Sequence, residues 1–132
     1  SLGEFDKANE YLALLLEQDD PRVLRFLAHL YENGNQGVPQ DYRQAFYFYD
    51  RLAMQYEDTE AMRALGFYLY RGLTGVKNDV AAVHWYHEAA KRGDHDAMQA
   101  YAWMVENGIG TQRDSIEANW YRSMAFKASG GK

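Results

Sequence analysis

The chain has 132 residues, no cysteine and a formal net charge of −5, and 47% of its residues are hydrophobic. This length suits one domain with a continuous core. Scattered Lys and Arg argue against a nucleic-acid backbone as partner, and the lack of cysteine excludes disulfides and thiolate metal sites. No apolar run is long enough to cross a membrane, and no signal peptide is evident, so we expect a soluble chain without membrane insertion. Both a cytoplasmic and a periplasmic location stay open.

Similar segments recur along the sequence. VLRFLAHLYENG, AMRALGFYLYRG and AMQAYAWMVENG end at Gly34, Gly72 and Gly108, which lie 38 and 36 residues apart. Each segment is followed by a second one with a similar apolar pattern, and the first connection is the longer one. A period in this range indicates stacked repeats, each made of two helices joined by a glycine-containing turn.

The predicted elements begin with a helix at residues 6–17, which resembles the second helix of a preceding repeat. Three helical hairpins follow at residues 21–57, 58–93 and 94–128, and all belong to a single domain, 1–132. We call the first helix of each hairpin A and the second B.

Helix boundaries are predicted from capping residues. Asp20 and Pro21 open the first A helix, since proline is well tolerated in a first turn. The A helices end at Gly34, Gly72 and Gly108, in the left-handed position that favours glycine. Each B helix starts behind an aspartate that can accept hydrogen bonds from unpaired backbone N–H groups; these N-caps are Asp41, Asp79 and Asp114.

Small and aromatic residues alternate on the B helices at helical spacing, which predicts closely approaching helices around large rings. The predicted core positions are Ala45, Phe48, Tyr49, Leu52 and Ala53, then Ala82, Trp85, Tyr86, Ala89 and Ala90, and finally Ile116, Trp120, Tyr121, Met124 and Ala125. On the A helices, Leu27, Leu65 and Tyr101 are taken as equivalent core positions.

This pattern resembles the Sel1-like repeat, a relative of the tetratricopeptide repeat. In the second repeat the matching residues are Ala61, Leu65, Gly66, Gly72, Gly75, Val76, Asp79, Trp85, Tyr86, Ala89 and Ala90. The resemblance implies an all-α fold, an α/α superhelix or solenoid of about three Sel1-like hairpins plus an N-terminal helix. It also implies a non-catalytic adaptor or assembly scaffold that binds a protein or peptide in the concave groove lined by the A helices.

The same resemblance places a set of polar and aromatic A-helix residues in this groove. They are Arg22, Arg25, His29, Glu32, Asn33, Glu60, Arg63, Phe67, Tyr70, Arg71, Asp96, Gln99, Trp103, Glu106 and Asn107. Phe67 and Trp103 share a repeat position and are expected to lie close together, as partner-binding rings or as core. Arg25 and Arg63 are expected to bind an acidic part of the partner; the alternatives are a solvated position on the surface or pairing with Glu32 or Glu60 within the chain.

The residues give little support for catalysis. His84 and His87, with Asp94, His95 and Asp96, could bind a metal. In the alternative interpretation the histidines are solvated or packed beside rings, and Asp94 caps the next helix. We find no nucleophile with a nearby base and no phosphate-binding glycine loop. We therefore predict no enzyme activity, no catalytic residue, no cofactor and no metal.

Two alternative functions stay open. The chain could be a structural segment that forms homo-oligomers through its terminal helices, because the last B helix carries Trp120, Tyr121, Met124 and Phe126. Less favoured is a hydrolase or metal-dependent enzyme that uses His84 and His87. The sequence does not identify the partner, nor whether further repeats adjoin this segment.

Overall fold

The described part of the chain is all-helical. The computed structural model describes residues 20–35 and 37–131, together with Ala13. Apart from Ala13, the helix predicted at residues 6–17 lies outside the described residues. The helices of the described part are α1 (Pro21–Asn33), α2 (Tyr42–Tyr56), α3 (Thr59–Arg71), α4 (Asp79–Lys91), α5 (His95–Asn107) and α6 (Ser115–Ala128). Within this part, no helix combines the length and apolar character that a membrane crossing requires.

These helices form three hairpins, which confirms the predicted fold class. Helix α1 packs against α2, α3 against α4 and α5 against α6, and α4 also packs against α5. The chain divides into two compact units, residues 1–56 and 57–132, and each is described by itself. The second unit holds two complete hairpins.

Acidic N-caps start the A helices. The side chains of Asp20, Asp58 and Asp94 accept hydrogen bonds from backbone N–H groups in the first turns of α1, α3 and α5. Such caps satisfy donors that have no partner inside the helix. The structure thus confirms the predicted entry at Asp20 and Pro21.

The helix ends follow the prediction at two of the three glycines. Gly72 and Gly108 adopt the left-handed conformation just after α3 and α5. Gly34 also has a positive φ of 72°, but its ψ is 157°, so the backbone at this residue is more extended than in the left-handed conformation. The loop after Gly34 is the longer one, and it contains an isolated bridge between Asn35 and Val38.

One predicted N-cap was wrong. Helix α4 is capped by Asn78, whose side chain accepts from the Ala81 N–H. Asp79 is the first helical residue and pairs with Lys77 at 2.6 Å. Asp41 and Asp114 do cap α2 and α6, at 3.2 Å from the Gln44 N–H and 3.0 Å from the Glu117 N–H.

This correction changes which residues are equivalent on the B helices. Counted from the caps, Trp120 is equivalent to His84 and Tyr47, and all three are exposed. Ile116 is exposed as well. The prediction that Ile116 and Trp120 belong to the core was therefore wrong, because both point away from the hairpin. Tyr121 takes the inward position of Phe48 and is buried.

Most other core predictions are confirmed. Leu27, Leu65 and Tyr101 are buried on the A helices. On α2 every predicted core residue is buried, and on α4 every one except the half-buried Trp85. Met124 is half-buried on α6, between the buried Tyr121 and Ala125.

A close contact within the second hairpin joins Gly66 to Tyr86. A Cβ atom on Gly66 would lie 2.9 Å from Cδ2 of the Tyr86 ring. Tyr86 is buried, and this burial raises the pKa of its hydroxyl to about 12. A side chain at residue 66 would therefore displace a ring that belongs to the core.

A second close approach joins the last two hairpins. Gly110 has a φ of 73°, and a Cβ there would lie 2.2 Å from the carbonyl oxygen of Asp79. Only glycine meets both demands without moving the backbone. The loop between α5 and α6 therefore rests directly on the start of α4.

The end of α4 carries a compact charge cluster. Glu88 pairs with both Lys91 and Arg92, each at 2.8 Å. Hydrogen bonds from Lys91 and then Arg92 lower the pKa of Glu88 to about 2, although burial opposes the shift. Arg92 also reaches Glu57 at 3.5 Å and so connects the end of α4 to the residue preceding the α3 cap.

Candidate protein-binding surface

The predicted groove residues are all at least partly exposed. This exposure follows from the helical spacing, which directs them away from the buried stripe of each A helix. In the first unit, the Tyr49 hydroxyl donates to Glu32 at 3.2 Å, and the His29 and Tyr49 rings lie 6.1 Å apart. Arg22 pairs with the N-cap Asp20 at 2.8 Å.

In the second unit, exposed rings gather on α3 and α5. Tyr70 and Trp103 meet edge to face, with ring centroids 5.8 Å apart and an interplanar angle of 83°. Phe67 lies one helical turn before Tyr70 and is 38% exposed, while Trp103 is 46% exposed. We call these three residues the aromatic face. The ring that Trp103 meets from the preceding repeat is thus Tyr70, whereas the sequence pointed to Phe67.

Two cations border the aromatic face. The Arg71 guanidinium lies 5.6 Å from the centroid of the Phe67 ring, and the Lys77 ammonium lies 4.7 Å from that of Tyr70. Lys77 also donates to the Tyr70 carbonyl oxygen at 2.9 Å. Cations in this position are attracted to the ring faces electrostatically.

Arg63 is committed to a contact within the second unit. Its Nε donates to Asp94 Oδ2 at 3.2 Å, which ties α3 to the N-cap of α5. Partial burial opposes the charged form of Arg63, but the charges of Asp94, Asp96 and Glu60 outweigh it and raise its pKa. Arg63 thus forms its ion pair with the cap residue of the next A helix, while Glu60 acts on it through charge.

The polar residues of α5 are held by neighbouring groups. Glu106 pairs with Arg122 of α6, and the Asn107 side chain donates to the Trp103 carbonyl oxygen at 2.8 Å. Gln99 lines a shallow cavity of about 350 Å³, together with Arg122, Phe126 and Ser129. Gln99 therefore borders α6, while Trp103 meets Tyr70 of the preceding hairpin.

The histidines of α4 occupy separate environments. His87 stacks on Tyr101 at 4.4 Å and lies 3.9 Å from Glu117, which accepts the Tyr101 hydroxyl at 2.7 Å. Burial, and then the charge of Lys91, lower the pKa of His87. His84 is exposed beside Trp85, and Asp94 caps α5 as the alternative interpretation predicted.

No cluster of three or more metal-ligating side chains occurs among the described residues. His87 instead completes a packed ring cluster with Tyr101 and Tyr121. Burial, followed by the hydrogen bond to Glu117, raises the pKa of the Tyr101 hydroxyl. This cluster supports packing between α4, α5 and α6.

Sequence reasoning missed three contacts that shape this surface. Lys77 covers Tyr70, Asp94 holds Arg63 and Arg122 holds Glu106. Lys77 has a local signal, since a basic residue five positions after the helix-ending glycine can fold back on the helix end. The partners Asp94 and Arg122 lie on neighbouring helices, and only the packing of those helices reveals them.

Comparison with known proteins gives the chain a clear set of relatives. The Sel1 repeat family matches residues 21–56, 59–94 and 95–128. Chitin synthase regulator SKT5 of Malassezia restricta is 38% identical over 95 residues, which cover 70% of this chain and 6% of that protein. Chitin synthase regulatory factor 3 of Schizosaccharomyces pombe is 36% identical over 98 residues, which cover 72% of this chain and 10% of that protein.

Solved structures share the fold. A protective antigen present in uropathogenic Escherichia coli strains, described as displaying an SLR fold, superposes with a TM-score of 0.81 at 31% identity. That match covers 95% of this chain and 26% of the antigen. The chain spans no more than about a tenth of the length of the two curated relatives.

Proposed function

Since the chain belongs to the Sel1 repeat family, we propose that it is a non-catalytic protein-interaction module that binds a protein or peptide segment in a groove lined by its A helices. The observation that carries this proposal is the aromatic face. Phe67 and Trp103 are exposed on helices whose inward residues are buried, and such rings are frequent anchors of protein interfaces. Large exposed rings at corresponding positions of adjacent repeats favour a binding role.

The named relatives support an adaptor or scaffold role. Two of them are described as regulators of chitin synthase, and an adaptor that contacts another protein is one way to exert such regulation. We propose only the class of partner, a protein or peptide, because the chain covers a small part of either regulator.

The test is affinity capture with matched tryptophan variants. The chain and its Trp103→Ala variant are each immobilised and exposed to an extract of the source organism, and retained proteins are quantified by mass spectrometry. Trp120→Ala is the control, since Trp120 is also an exposed tryptophan but lies on the outer side of α6. The proposal expects proteins that Trp103→Ala loses and Trp120→Ala retains. Equal retention by all three proteins would contradict it.

A second candidate, homo-oligomerisation through the last helix, is favoured by one observation. Ile116 and Trp120 lie one turn apart on α6 and are 85% and 56% exposed. An apolar pair of this kind can bury itself against a second copy. Sedimentation over a wide concentration range tests this role: Trp120→Ala should lower the oligomer fraction, and a strictly monomeric parent chain would exclude it.

A further inference from the structure

Arg71 is placed differently from the other cations near the aromatic face. It is the last residue of α3, it is exposed, and its guanidinium lies over the Phe67 ring, 5.6 Å from the centroid. Among the described residues, no carboxylate pairs with it. Arg63 and Lys77 differ in this respect, since they pair with Asp94 and Asp79.

The contact with Phe67 leaves Arg71 able to bind a ligand. A guanidinium carries five N–H donors in one plane, and a contact with an aromatic ring does not use them as hydrogen bonds to a carboxylate. The contact with Phe67 also restricts the side chain, which lowers the entropy cost of binding. A carboxylate matches these donors well, because it can accept two parallel hydrogen bonds.

Comparison between the repeats shows that this arrangement is particular to the middle one. The residues equivalent to Arg71 are Asn33 and Asn107, which carry no charge. The positions equivalent to Tyr70 hold Glu32 and Glu106. The middle repeat alone therefore combines a cation with a neighbouring ring where the other two place an amide and a carboxylate.

From these contacts we propose that Arg71 binds a carboxylate of a peptide segment while Tyr70 and Trp103 contact an apolar or aromatic side chain of the same segment. The inference rests on the proposed function and specifies the partner as an acidic-aromatic peptide. The carboxylate belongs to an aspartate or glutamate, or to the C-terminus of the peptide. The net charge of −5 repels acidic peptides in general, so a preference for them requires a local cation.

The test uses synthetic libraries of short peptides, one with free and one with amidated C-termini. Each library is selected on the immobilised chain, on Arg71→Gln, on Trp103→Ala and on Lys127→Gln. The last variant is the matched control, since it removes one exposed positive charge from α6. Circular dichroism confirms that each variant keeps its helices.

The proposal expects the parent chain and Lys127→Gln to enrich peptides that combine an acidic group with an apolar or aromatic residue. Enrichment in both libraries assigns the carboxylate to a side chain, and enrichment in the free library alone assigns it to the C-terminus. Arg71→Gln should lose the acidic preference and bind the best peptide about tenfold more weakly. For the same peptide with its carboxylate changed to an amide, Arg71→Gln should cause no further loss.

Three results would overturn the inference. One is enrichment of apolar peptides without an acidic preference, which leaves the proposed peptide-binding function standing. A second is an acidic preference that Arg71→Gln retains. The third is no enrichment at all, and together with equal protein capture by the parent chain and Trp103→Ala it would remove the proposed function as well.

Discussion

Gly66 offers the sharpest test of the packing described above. In Gly66→Ala the new methyl carbon would lie 2.9 Å from Cδ2, 3.0 Å from Cε2 and 3.1 Å from Cγ of Tyr86. These separations are shorter than ordinary carbon contacts of about 3.5–4.0 Å. Tyr86 is buried and its ring cannot swing into solvent, so the two helices or the ring must shift.

Two opposing effects set the size of the change. Replacing a mid-helix glycine by alanine favours the helix by about 1 kcal/mol, whereas overpacking a core typically costs about 1–3 kcal/mol. We therefore expect Gly66→Ala to lower the free energy of unfolding by roughly 0–2 kcal/mol. Gly66→Leu should lower it by about 3 kcal/mol, near the upper end of that overpacking range.

The assay is urea unfolding followed by circular dichroism, applied to a double-mutant cycle. Tyr86→Leu makes room for the methyl group, so Gly66→Ala should stabilise this background by up to about 1 kcal/mol through helix propensity. The sign of the alanine effect should thus reverse between the two backgrounds. Ala102→Gly is the positional control, and it should destabilise because the equivalent site on α5 already accommodates a buried methyl group. The same effect of Gly66→Ala in both backgrounds would refute the argument.

Three further predictions concern polar contacts. Asp94→Ala should lower the free energy of unfolding by about 1–2 kcal/mol, because it removes both the cap of α5 and the Arg63 pair. Asp94→Asn should lower it less, since asparagine can still cap the helix. Equal urea midpoints for the two variants would contradict this. The Glu88 carboxylate, with its pKa lowered to about 2, stabilises the fold fully above its usual pKa of 4.5 and loses this contribution as the pH falls toward 2. The difference in melting temperature between the parent chain and Glu88→Gln should therefore shrink between about pH 6 and pH 2.5, and a constant difference would exclude the linkage. Tyr101→Phe should cost about 1 kcal/mol through the lost hydrogen bond to Glu117. The cost should be much smaller in a Glu117→Ala background, which lacks the acceptor, and an equal cost in both backgrounds by the same urea assay would contradict this.

The helix ends and the buried stripes could be predicted from the sequence because their causes are local. Asp58 and Asp94 accept hydrogen bonds from residues three positions ahead, and Gly72 follows directly on the helix that it ends. Burial at Leu65 and Tyr101 follows from helical spacing. Each of these outcomes depends on neighbours within one turn.

The cap of α4 shows where local reasoning stops. Asn78 and Asp79 are adjacent and both can cap a helix. Asn78 is the cap because its backbone N–H donates to the Leu69 carbonyl oxygen at 2.9 Å. This hydrogen bond fixes the length of the loop between α3 and α4. A contact across the loop therefore sets the start of α4. The matching contact from the Asp114 N–H to the Val105 carbonyl oxygen, at 3.0 Å, sets the start of α6, on which Trp120 is exposed.

The predicted groove residues illustrate the same limit for function. Their exposure could be predicted from the spacing within one helix, but the contacts that they make with residues of other helices could not. Arg63 meets Asp94, and Tyr70 meets Trp103, because α3 and α5 belong to successive hairpins in one compact unit. These contacts between helices distinguish Arg63, which pairs with Asp94, from Arg71, with which no carboxylate of the described residues pairs.

Gly110 has a consequence for how such repeats can be exchanged. The residue at the same distance from the helix-ending glycine in the preceding repeat is Thr74, which carries a Cβ and a negative φ. A second copy of that hairpin inserted in place of the third would bring a threonine toward the Asp79 carbonyl, where a Cβ atom has no room. The two hairpins are therefore not interchangeable modules, and recombination that shuffles them would have to preserve their order. A single glycine can in this way restrict a repeat to one position among otherwise similar repeats.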